Sequence, residues 1–315
     1  MRVLLALGGN AMTNADGRAR PEDQIAAAQV AMESVADLVA QDVEVVITHG
    51  NGPQVGNLLV KNEISASVVP PVPLDWCGAQ TQATLGFVLM DALDAALVRR
   101  DLVRPSATVV TRTLVDADSA GFAKPTKPIG RFLPADEAAL LVDHGETWED
   151  RGEKGWRRVV ASPEPLEIID APAVSALIAA GFVVVANGGG GIPVVRTQDG
   201  SLAGVEAVID KDLGAALLAR TVAADVLVIA TDVANAVLHF GTPEAEPLGR
   251  VTVSQLRAYA GAGHFASGSM GPKVDAVCRF VEHGGQRAVI TNLDCIVAAV
   301  LDSSTEGRGT VVVPD

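Results

Sequence analysis

Three glycine-rich turns stand out as places where this sequence can do chemistry: LLALGGN at 4–10, VVITHGNGPQVG at 45–56 and VVVANGGGGIP at 183–193. Each follows a run of aliphatic and β-branched residues that reads as a buried strand. Glycine carries no Cβ, so the N–H groups of such turns can face an anion at close range. The four glycines at 188–191 lose more backbone entropy on folding than any other four residues would. Something must therefore approach that backbone closely, and phosphates, or the lysines that grip them, are the expected partners.

Positive charge is the second signal. The chain has six lysines, and three of them stand among Gly, Pro or Asp: Lys127 in KPTKPIG, Lys211 in VIDKD and Lys273 in GSMGPK. Lys211 and Lys273 each open a predicted helix, where a cation is unfavourable beside the helix dipole unless an anion binds there too. Asp210 and Asp212 flank Lys211. One carboxylate is expected to hold the lysines and the other to cap the helix; Asp210 is assigned the first task and Asp212 the second.

Two common nucleotide signatures fail. GNGPQVG misses the dinucleotide fingerprint because its third glycine, Gly56, falls one residue late, with Val55 in its place. The acid expected about 20 residues later would be Asp75, which lies in the loop-like PPVPLDW. No glycine-lysine-serine/threonine phosphate loop occurs. His49 adjoins a glycine turn but is read as structural, because an acceptor that is already anionic needs no general base. His144, His239, His264 and His283 are scattered and suggest no metal cluster. Cys77, Trp76 and Trp156 are read as packing residues.

These residues need a frame. Apolar runs at 3–7, 43–48, 107–113, 182–186, 226–230, 288–291 and 310–313 predict strands, with helices at 21–40, 80–99, 171–180, 211–220, 253–259 and 272–283. Such alternation gives an α/β fold with a mostly parallel sheet covered on both faces. The rhythm breaks at 118–160, a charged stretch punctuated by Pro and Gly. There ETWED and WRRVV are expected to form a hairpin turning at 152–155, within a small protruding subdomain inserted in the one domain of 1–315.

Composition narrows the partners. A net charge of −14 argues against nucleic acid or an acidic membrane. No apolar run reaches the roughly 18 residues of a membrane span. The three cysteines show no metal-ligand spacing, which suits a reducing compartment, and a cytoplasmic protein is expected.

LALGGNA, THGNGPQVGNL, PLDWCGAQTQ, KPTKPIG, GWRRVVASPEP, ANGGGGIPVV, GVEAVIDKDLGAALLA, GHFASGSMGPKV and AVIT occur here in the order found in carbamate kinases. Over nearly its whole length the sequence resembles that family of the amino acid kinase superfamily. The resemblance implies a three-layer αβα sandwich with a lid subdomain, a homodimer, and Mg²⁺-dependent transfer between ATP and carbamate giving ADP and carbamoyl phosphate. It implies that ATP synthesis during arginine fermentation is the direction used in cells. Gly8, Gly9, Asn10, Asn51 and Gly52 would donate to carbamate and to the moving phosphoryl group. Lys211 and Lys273 would neutralise the nucleotide phosphates, with Asp210 orienting them, and Lys127 would close from the lid. Mg²⁺ would be carried by phosphate oxygens and water, with no protein ligand assigned. The sequence departs from the family at GRFL after KPIG and at Ala234 in TDVANAVLHF, so Asp232 and Met270 are only candidate adenine contacts. Three other functions remain open: kinase action on another small carboxylate such as acetylglutamate, non-catalytic sensing of carbamoyl phosphate or nucleotide, and a nicotinamide dehydrogenase.

Overall fold

Five aliphatic residues in a row can be buried only if both faces of their strand are covered. In the strand Arg2–Leu7, Val3, Leu5 and Leu7 enter one core while Leu4 and Ala6 enter another on the opposite face. The computed structural model describes residues 1–8, 20–143, 145–266, 269–302 and 308–315. Helices Pro21–Val39, Leu74–Val98 and Ile296–Leu301 cover the first face. Helices Ala171–Ala179, Lys211–Thr221, Val253–Gly261 and Met270–Glu282 cover the second. The result is a three-layer αβα sandwich.

The central sheet has eight strands. Ser106–Thr108, Val183–Val185, Glu44–His49, Arg2–Leu7, Val226–Thr231 and Arg287–Asn292 lie side by side in that order, all parallel. Thr310–Val313 runs antiparallel to Arg287–Asn292, and Arg250–Thr252 pairs in parallel with it at the edge. Gly8, the stretch 50–56 and the glycine turn at 188–191 therefore follow the carboxyl ends of three adjacent strands.

Three expectations are corrected. The run 107–113 is two strands: Ser106–Thr108 belongs to the central sheet, whereas Arg112–Leu114 joins a second, four-stranded one. An apolar run does not reveal that the chain changes sheets within it. GPQVG is not merely a turn; it opens a helix, Gly52–Ser65, with Pro53 in its first turn where a missing N–H costs nothing. The helix expected at 80–99 begins earlier, at Leu74, so Leu74 and Cys77 face inward and Trp76 faces out with 61% of its surface exposed. Trp76 is therefore not a core residue. This helix is long and apolar enough to cross a membrane by length and composition, but half of its most apolar stretch is buried in the protein.

Within the irregular region, Lys127–Leu133, Trp156–Val160 and Trp148–Asp150 form a separate three-stranded antiparallel sheet. The hairpin turns through Gly152–Lys154 and Gly155, whose φ of +90° suits glycine. Ile129 and Val160 rest on Val55 and Leu59 of the Gly52–Ser65 helix, so the small sheet packs on the body there.

Leu89 is fully buried between the Leu74–Val98 helix and the central sheet. Leu89→Ala should lower the unfolding free energy by about 2–5 kcal/mol in urea titrations; a loss below about 0.5 kcal/mol, the size of a surface substitution, would contradict this packing.

Candidate active site

The three singled-out lysines arrive from three elements. Lys127 heads the strand of the small sheet and pairs with Val160. Immediately after Val160, Ala161 bridges to Ala207 and its carbonyl accepts the Val208 N–H at 2.9 Å. This stitch brings Lys127 Nζ to 2.8 Å from Asp210 Oδ2. Asp210 Oδ1 accepts the Asp212 and Leu213 N–H groups at 2.9 and 3.4 Å, capping the helix Lys211–Thr221.

Asp212 is gripped by the other two lysines. Its Oδ1 lies 2.5 Å from Lys211 Nζ and its Oδ2 lies 3.1 Å from Lys273 Nζ, in the first turn of Met270–Glu282. The assignments made from sequence are thus reversed: Asp210 is the cap and the partner of Lys127, while Asp212 orients Lys211 and Lys273. Spacing alone cannot separate the two, since either can accept early N–H groups. Asp212 has only 3% of its surface exposed. Burial pushes its carboxyl upward, but the charges and hydrogen bonds of Lys211 and Lys273 outweigh this and hold it below the usual carboxylate range. It therefore stays ionised between two ammonium groups.

The glycine run has a different neighbour from the one expected. A Cβ on Gly188 would strike the His49 ring, and one on Gly189 would strike the Asn51 side chain. On Gly190 it would meet the Ile209 carbonyl at 2.9 Å, and on Gly191 the Thr113 hydroxyl. Gly189, Gly190 and Gly191 have φ of +67°, +87° and +93°, which disfavours side chains in any case. Gly214, one turn into the Lys211 helix, packs against Gly190 and Asn187. The close approach is thus between protein segments. It joins Asn51, the residue that heads the Gly52–Ser65 helix, to the helix start that carries Asp210, Lys211 and Asp212.

Asn51 is steadied by its own hydrogen bond, Nδ2 to Thr81 Oγ1 at 2.9 Å. Gly52 is the first residue of its helix and is exposed. Gly8 donates its N–H to Ala230 O at 2.8 Å, so that amide continues the sheet and is not free for a ligand. Gly9 and Asn10 lie outside the described residues. Asp232, exposed at the end of Val226–Thr231, accepts the Thr231 hydroxyl, and Met270 opens the helix that carries Lys273.

Sequence reasoning missed Gln82. This buried amide donates to the carbonyls of Thr111 and Gly188 and accepts the Thr111 N–H, clamping the Leu74–Val98 helix to the glycine turn. Its signal was a polar side chain on the apolar face of a helix. His239 and His264 do meet, with ring centroids 4.5 Å apart. His144 lies outside the described residues. Among the described residues no three His, Cys, Asp or Glu side chains gather to hold a metal.

Residues 1–292 match the model of the amino acid kinase family. The chain belongs to that family. Among its relatives, carbamate kinase of Thermococcus kodakarensis is 45% identical over 99% of both chains. The carbamate kinase-like protein YahI of Escherichia coli is 45% identical over 95% of both. The solved structure of carbamate kinase from Giardia lamblia bound to AMP-PNP superposes with a TM-score of 0.92 at 38% identity, covering 100% of this chain and 98% of that one. Within the amino acid kinase family the chain thus groups with the carbamate kinases, and it is a phosphotransferase.

His49, with 1% of its surface exposed, packs beneath this site. Burial lowers its pKa to about 4, so the ring is neutral at pH 7. The unfolded chain takes up a proton near pH 6.5 and the folded one only near 4, so stability falls as pH drops through that window. The loss amounts to about 3 kcal/mol. Urea midpoints between pH 7 and 4 should show it, and His49→Gln should flatten that part of the profile; identical slopes in both proteins would contradict it.

Proposed function

We propose that this chain transfers a phosphoryl group reversibly between ATP and carbamate, and that its service in the cell is ATP formation from ADP and carbamoyl phosphate in cytoplasmic arginine breakdown. The observation that carries the reading is the linked array Lys127–Asp210 and Lys211–Asp212–Lys273, three cations against two carboxylates, at two helix N-termini.

In the forward direction a carbamate oxygen bonds to the γ-phosphorus as the bond to the ADP oxygen breaks; the reverse is the same path. No proton has to move, because carbamate is already an anion, which accords with a neutral, buried His49. What the reaction needs is charge stabilisation on the oxygens of the phosphoryl group in flight. Lys211 and Lys273, held by one carboxylate, would act on the nucleotide side. Lys127 would act from the small sheet, exchanging Asp210 for a phosphoryl oxygen, and that sheet would serve as a lid. Asn51 and the amides of the Gly52 helix would hold the acceptor. Asp232 and Met270 remain candidate contacts for adenine. Mg²⁺ would enter on the nucleotide phosphates, since Asp210 and Asp212 are already engaged with lysines. A homodimer is part of the same reading.

The test is ATP formation from ADP and carbamoyl phosphate. Wild type should be active, and Lys127→Ala, Lys211→Ala and Lys273→Ala should each lose about 10²–10³ in kcat. Near-normal turnover in these variants would contradict the roles assigned. Activity only with another carboxylate, or nucleotide binding without turnover, would favour a different acceptor or a sensor.

A further inference from the structure

Two neighbouring strands leave the central sheet at one place. Ser106–Thr108 passes through residues 109–111 into Arg112–Leu114, and Val183–Val185 passes through the glycine turn into Ile192–Arg196. The pair stay side by side, since Arg112–Leu114 and Ile192–Arg196 are parallel partners in the second sheet. A buried polar frame locks the crossing. Asn187, left-handed at φ 56°, receives the Thr48 hydroxyl on its carbonyl at 3.0 Å and gives its N–H to Thr111 Oγ1 at 3.0 Å. Thr113 Oγ1 lies 2.9 Å from Asn187 Oδ1 and 3.0 Å from the Gly190 carbonyl, so one hydroxyl proton is shared between the turn's first residue and its third glycine.

This frame is built at a cost. Asn187 Nδ2 is buried against Gly214 and has no hydrogen-bond partner among the described residues. Gly191 comes so close to Thr113 that any side chain there would collide with its hydroxyl. The turn that the frame fixes has Asn51 on one side, against Gly189, and the Lys211 helix on the other, against Gly190.

We propose that Thr113 is a positioning residue for phosphoryl transfer, whose hydroxyl sets the glycine turn and, through Gly189, the side chain of Asn51. Thr113 is fully buried, so it acts only through the turn. The inference rests on the functional reading above. The turn fixes where Asn51 stands relative to the lysines, so a disturbed turn misaligns the acceptor that Asn51 holds while the nucleotide keeps its own contacts. The loss then falls on kcat.

Thr113→Val removes the hydroxyl and keeps the shape; Thr113→Ser keeps the hydroxyl. With ADP and carbamoyl phosphate, Thr113→Val should fold by circular dichroism and lose about tenfold or more in kcat, with the KM for ADP within about threefold of wild type. Thr113→Ser should restore turnover. Added to Asn51→Ala, Thr113→Val should cost little more, because both act through one side chain. Wild-type turnover in Thr113→Val, equal impairment in Thr113→Ser, a loss confined to KM, full additivity with Asn51→Ala, or an unfolded Thr113→Val would each overturn the proposal. A wild-type chain inactive with these substrates would instead sink the functional reading, and this inference with it.

Discussion

One carboxylate held between two ammonium groups organises the rest of the site. Asp212 is almost fully buried, and Lys211 and Lys273 reach it from two different helices. Removing a charge from water is costly, and breaking such a pair by deleting one partner costs about 3–5 kcal/mol. The arrangement therefore does more than add stability. It fixes two cations at helix N-termini with directions that flexible lysines would not otherwise keep. Against a chain net charge of −14, the three lysines and two carboxylates leave a local excess of positive charge that favours an anion there.

Everything around Asp212 serves that geometry. Gly214 lets the Lys211 helix pack directly on the glycine turn, and the turn in turn lies against Asn51 and His49. The two strands that cross between sheets are tied by Gln82, Thr111, Thr113 and Asn187, all buried. A rigid floor of this kind suits phosphoryl transfer, where the protein has little covalent chemistry to do and catalysis is mostly positioning. Lys127 is held differently, at the end of a small separate sheet and about one third exposed, and its bond to Asp210 crosses from that sheet to the body. In the proposed reaction it is the cation that would exchange partners.

The layered fold was legible because strands buried on both faces leave uninterrupted aliphatic runs, as at 3–7 and 226–230. The lysines were legible because Gly, Pro and Asp neighbours are unusual for a solvated helix face. The roles of Asp210 and Asp212 were not, since two acids two residues apart have the same local options and only the arrival of Lys127 and Lys273 from distant segments separates them. The glycine run was legible as a close approach but not in its partner. His49 and Thr113 come from other strands and Asn51 from the start of a helix, and no local pattern records that meeting. The helix at Gly52–Ser65 was hidden because its opening GPQVG has the composition of a turn.

In the proposed reaction Asp212 aims Lys211 and Lys273, and kcat of Asp212→Asn for ATP formation from ADP and carbamoyl phosphate tests this most directly. The substitution preserves shape and removes the charge. A folded Asp212→Asn protein should lose about 10²–10³ in kcat, the scale of removing one preorganised donor. A folded variant that turns over at the wild-type rate would contradict the account.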